Sequence, residues 1–98
     1  MSAVVENFPV GVVVQSIAGR DRKRVFIVVG TEEVRGDRRL LLVNGDLHKL
    51  STPKSKNLRH VRQVGTLTED ELLQLQVADD LMIREIISRY DERLSPKA

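Results

Sequence analysis

Residues 11–29, GVVVQSIAGRDRKRVFIVV, hold the pattern that decides the fold. Two runs rich in β-branched residues, Gly11–Ile17 and Val25–Val29, flank the turn signal Ala18-Gly19 and five consecutive charged residues. That order reads as strand, loop, strand. In the first strand Val12, Val14 and Ser16 share one face, and Val13, Gln15 and Ile17 the other. The second run is apolar throughout, so it is expected to be buried on both faces or bent around a small barrel. The charged residues Arg20–Arg24 are expected to stay out of the core.

Working outward, Gly30–Arg39 reads as a polar connection broken by Gly30 and Gly36, and Leu40–Val43 as a third strand. Asn44-Gly45 predicts a two-residue type I′ hairpin turn, because both residues tolerate positive φ. Leu47–Leu50 would then return as a fourth strand. Pro53 lacks a ladder donor and is expected to end the pairing, leaving Lys54–Asn57 as a solvated loop. Leu58–Val64 alternates as a last short strand. Four or five short strands within about 55 residues suggest a small antiparallel barrel over residues 9–64.

The period changes after Gly65, and residues 65–98 read as a helical C-terminal extension. Thr68 stands three residues before Glu71, a capping box. Asp79 or Asp80 caps a second run, in which Ile83, Ile86, Ile87, Tyr90 and Leu94 form an apolar stripe that Pro96 closes. Two helices are expected rather than one, since adjacent aspartates favour caps over helix interiors.

The chain of 98 residues has room for one core with an appendage. It holds no cysteine, which excludes disulfides, thiolate metal sites and cysteine nucleophiles. Residues 20–62 carry 12 basic side chains against 5 acidic, a net charge of +7, whereas residues 63–98 carry 4 against 8, a net of −4. A basic middle and an acidic tail predict surfaces that face different partners, and the basic one points to nucleic acid. Residues 1–19 lack the Lys or Arg of a secretory signal, and the apolar run Val12–Val14 is far too short for a membrane span. A cytoplasmic protein without membrane contact is expected.

The stretch from Gly11 through Asp21 to Val29 resembles a KOW motif, the strand–loop–strand unit of ribosomal and transcription-elongation proteins. With residues 44–50 (NGDLHKL) and 53–60 (PKSKNLRH), the chain is similar to short bacterial KOW-domain RNA-binding proteins, relatives of KOW-type large-subunit ribosomal proteins. The resemblance covers residues 10–61. It implies a five-stranded SH3-like barrel, mainly β in class, and a ribosomal or other structured-RNA partner. One position departs, since Lys23 stands where such loops usually carry glycine.

Two basic groups are the candidate RNA-binding residues: Arg20, Arg22, Lys23 and Arg24 in the first loop, and Lys54, Lys56, Asn57 and Arg59 in the second, with Lys49 between them. Charges held on a tight turn lose little entropy on gripping phosphate. Arg35, Arg38 and Arg39 lie among acids and read as plain surface. Three aromatic residues are too few for a base-stacking platform, so backbone and shape recognition of folded RNA is expected. His48 and His60 have no paired ligand spacing, and no nucleophile elbow or phosphate loop is present, so neither a metal, a cofactor nor catalysis is expected. The alternative reading is a protein-interaction module that docks a partner through its acidic helical tail. A monomer is favoured, although the tail stripe could pair two chains.

Overall fold

The computed structural model describes residues 10–91. β1 (Val12–Ser16) sends Val12 and Val14 to one face of the sheet and Val13 to the other, as period-two alternation dictates. β2 (Val25–Val34) does the same with Phe26 and Val28 against Val25 and Ile27, so its first four residues are buried on both faces. β3 (Asp37–Val43), β4 (Lys54–Asn57) and β5 (Val61–Thr66) complete one antiparallel sheet in the order β4-β3-β2-β1-β5. The class is mainly β, with α1 (Glu69–Leu75) and α2 (Asp80–Ser88) added after the sheet. No ladder joins β4 to β5 among the described residues, so in its hydrogen bonding the sheet is open.

Two cores result. Val12, Val14, Phe26, Val28, Leu40, Leu42 and Val61 fill the inner face of the curled sheet. On the outer face Val13, Val25, Ile27 and Val43 meet Leu67, Ile83, Ile86 and Ile87. The stripe on α2 is therefore spent on the sheet. The Thr68 capping box forms with both halves present, and the Asp79 side chain caps α2 by accepting from Met82 N (2.9 Å). Leu94 and Pro96 lie outside the described residues. No helix of the described residues is long and apolar enough to cross a membrane.

Five readings of the segments after β1 and the start of β2 are corrected. Gly30–Arg39 is no loop: β2 and β3 run through it as a hairpin, turning at Arg35 (φ 54°) and Gly36 (φ 87°). Glu32 faces Arg39 and Glu33 faces Arg38 across the ladder, so a projecting hairpin has the composition of a loop. Asn44-Gly45 is no hairpin turn, because Asn44 does not take positive φ. Its side-chain oxygen instead accepts from Asp46 N (3.0 Å) and His48 N (3.1 Å), and its own N–H donates to the His48 carbonyl (2.8 Å). That local ring of bonds takes the backbone groups a strand over 47–50 would need.

The fourth strand is β4, the segment read as a solvated loop; Pro53 stands just ahead of its first paired residue, where a missing donor costs nothing. Leu58–His60 forms a single 3-10 turn rather than strand. Gly45 (φ 78°) has a packing reason: a Cβ there would collide with the Asp80 carbonyl and lie 2.8 Å from Arg84 Cγ. The loop thereby sits directly on α2, and Asp80 Oδ1 accepts from Leu50 N (2.9 Å).

Candidate nucleic-acid interface

β1 ends at Ser16, whose carbonyl accepts from Lys23 N (2.8 Å) and whose N–H donates to the Arg24 carbonyl (2.9 Å). Inside this closure Arg22 N donates to the Gly19 carbonyl (3.2 Å) and Arg24 N to the Asp21 carbonyl (2.8 Å). The loop is a pair of tight turns with its backbone bonded, and it holds two residues in the left-handed region, Gly19 (φ 77°) and Lys23 (φ 75°), of which only Lys23 carries a Cβ. A Cβ in this conformation costs about 1 kcal/mol.

The loop has an inside. Asp21, expected to stay out of the core with its charged neighbours, is 7% exposed. Its carboxylate receives Lys54 Nζ (3.1 Å), with His48 Nε2 at 3.6 Å and Lys56 Nζ at 3.9 Å. Burial raises the Asp21 pKa, but the Lys54 hydrogen bond and the charges of Lys54, His48 and Lys56 outweigh it, holding the carboxyl below the usual aspartate range. Burial lowers the Lys56 pKa more than Asp21 raises it, with Lys54 and Arg39 adding to the lowering. His48 also lies over Phe26, ring centroids 5.7 Å apart, so the cluster covers one end of the inner core.

The structure thus joins the two basic groups through one acid, and it divides the candidates. Arg20, Arg22, Lys23, Lys49 and Arg59 are exposed, and Arg24 is half-buried, lining one cleft with Asp46 and Arg84. Lys54 is half-buried against Asp21. Lys56 is 8% exposed and donates to the Ala18 carbonyl (3.2 Å), because strand alternation turns it inward opposite Leu40. The Asn57 side chain accepts from Arg59 N (2.9 Å), so its oxygen is a cap for the 3-10 turn. Arg39 is tied to Ser55 Oγ (2.8 Å), which in turn donates to Glu32 (2.6 Å). Sequence reasoning missed Asp21, whose signal was a single acid within a basic run. It also missed Arg62 and its partner Gln15, which carried no signal.

Compared with known proteins, the chain matches no family model and no curated sequence.

Lys23 provides a direct test of the loop. Lys23→Gly is expected to raise stability by about 0.5–1 kcal/mol, less the entropy glycine adds to the unfolded chain, whereas Lys23→Ala retains the Cβ penalty. Urea melts should rank glycine above lysine and alanine. Glycine ranking lowest would mean an ordinary backbone at this position.

Proposed function

We propose that this chain is an RNA-binding protein of KOW type, an SH3-like barrel with a helical extension, and that it binds structured RNA, ribosomal RNA first among the candidates. The observation that carries the reading is the Asp21 cluster, whose carboxylate pairs with Lys54 and so draws together basic segments 33 residues apart in the chain. Several features support the barrel. The two edge strands of the sheet are connected by one 3-10 turn, and the Lys56–Ala18 and Lys54–Asp21 contacts span from β4 to the loop after β1. Positive φ at Lys23 supports the resemblance, since it suits the glycine that such loops carry. The exposed cations act on phosphate as charges and forked donors, and the scarcity of aromatic residues leaves shape and backbone as the means of recognition.

Salt dependence tests this. With four to six phosphates neutralised, log K for a folded RNA is expected to fall against log salt with a slope of about −3 to −5. Fluorescence anisotropy at several salt concentrations measures it, and an absent or salt-indifferent affinity would remove the mechanism.

A second reading has its own observation. Leu73 (64% exposed), Val77 (79%) and Leu81 (55%) stand out on the helical tail among Glu69, Asp70 and Asp79, a surface suited to a protein partner. Nucleic acid that copurifies with the protein favours the first reading. A nucleic-acid-free preparation that retains one specific protein favours the second.

A further inference from the structure

Beside the Lys23 turn, between β1, β5 and the end of α2, lies a groove of about 440 Å³. Lys23 and Arg62 border it, and one neutral side chain bonds to the backbone of the first and to the guanidinium of the second. Gln15 Oε1 accepts from Arg62 Nε (3.0 Å) and Nη2 (2.9 Å), while Gln15 Nε2 donates to the Lys23 carbonyl (3.1 Å). This orients the guanidinium and leaves its Nη1 edge unengaged by any described residue.

Val25 and Val64 supply apolar lining, and the Tyr90 ring forms a fixed wall. A Cβ on Gly65 would lie 3.0 Å from that ring, so the absence of a side chain there is what admits it. The Tyr90 hydroxyl is held by donating to Glu71 Oε1 (2.7 Å). Burial, that hydrogen bond and the Glu71 charge push the Tyr90 pKa up to about 12, with Arg89 opposing, so the phenol stays neutral. Asp91, 3% exposed, adds a carboxylate to the lining.

One oriented guanidinium, a lysine at the rim, and an apolar and aromatic lining suit a ligand that is anionic at one end and planar at the other. A nucleotide is such a ligand, with its phosphate on Lys23 and Arg62 and its base against Val64 and Tyr90. The volume lies within the range of about 300–1,000 Å³ typical of small-ligand sites. A base stacked within a duplex cannot enter, so the nucleotide must be unpaired.

We infer that this groove takes one unpaired nucleotide extruded from a structured RNA. The inference rests on the proposed RNA-binding function and makes Arg62 and Gln15 a separate pocket for the extruded nucleotide, apart from the cations that meet the stem. Positioning by Gln15 gives the site a signature that charge alone lacks. Gln15→Ala removes no charge, and Arg62→Lys keeps the charge while losing the fork.

The test uses the full chain and two RNA hairpins identical except for one bulged nucleotide in the stem. The parent protein is expected to bind the bulged hairpin about five- to tenfold more tightly, the scale of one base contact. Both variants should lose that preference while binding the unbulged hairpin as before, with urea melts confirming that they are folded. Equal affinity of the parent for both RNAs overturns the groove assignment and leaves the RNA-binding function standing. A preference that survives in both variants overturns it as well. Adenosine 5′-monophosphate titrated alone is the remaining arm: if it binds at micromolar concentration and neither hairpin binds, the site serves free nucleotides and the inference fails. Binding of none of the three removes the inference together with the function on which it rests.

Discussion

Ile86→Ala is expected to lower the free energy of unfolding by about 3–4 kcal/mol, a cavity cost typical of a fully enclosed aliphatic side chain. Ile86 is 0% exposed and belongs to the cluster in which Val13, Ile27 and Val43 of the sheet meet Ile83 and Ile87 of α2. A domain of this length commonly has about 5–15 kcal/mol in total, so the loss is a large share. Urea titration should show an earlier midpoint with an unchanged slope, the sign of altered stability rather than altered compactness. A loss below about 1 kcal/mol, well short of a filled-site cavity, would mean that α2 is not seated on the sheet. RNA affinity measured well below the transition should be kept, because Ile86 is enclosed away from the exposed cations.

Asp21→Asn is expected to weaken RNA binding even though it makes the basic face more positive by one charge. The carboxylate is the countercharge for Lys54, with His48 and Lys56 close by, and an amide cannot replace it. Lys54 and Lys56 would then face one another without a countercharge, and the ion pair that joins the 20–24 loop to β4 would be lost. Removing one partner from a buried pair costs about 3–5 kcal/mol, and the partial exposure of Lys54 brings the expectation here to about 2 kcal/mol. Tighter binding by Asp21→Asn would show that bulk charge, not the held geometry, governs the interaction.

Acid should act in the same direction as this variant. Asp21 and Glu71 both have pKa values depressed in the folded protein. For Glu71, burial raises the value, and the Thr68 N–H, the Tyr90 hydroxyl and Arg89 together lower it further than burial lifts it. The unfolded chain therefore binds protons more readily than the folded one at acidic pH. Stability from these carboxylates is complete above their ordinary pKa values of about 4 and is lost as pH falls through the lower folded values. Chemical melts from pH 7 down to pH 3 should show the decline, and Asp21→Asn should show a shallower one.

The strands and helices that were legible in the sequence share one property: their signals are local. β1 and the start of β2 announce themselves by β-branched runs whose alternate residues fill opposite cores. Both helices were marked by caps, Thr68 with Glu71 and the aspartate before Met82, each of which satisfies backbone donors within three residues. The basic 20–24 loop was legible as a turn, and the strain at Lys23 was foreshadowed only by the glycine of the family it resembles. The β2–β3 hairpin and β4 were hidden because their side chains are polar. Pairing there follows the register of neighbouring strands, and a tetrapeptide of Lys, Ser, Lys and Asn contains no hint of it.

By itself, then, the sequence determined a β-rich chain with a basic middle, a capped helical tail and an apolar stripe that had to be covered. Only the tertiary structure decided which charges are available. Lys54 and Lys56 looked like equals on a solvated loop. Pairing β4 with β3 turns both toward the inner face, where Lys56 becomes 8% exposed and Lys54 meets Asp21. Asp21 and Lys54 are far apart along the chain, as are Gln15 and Arg62, and no local preference encodes either contact. A charge is free or spent according to what the fold brings within hydrogen-bonding distance, and over such separations that is set by strand order and register, not by composition.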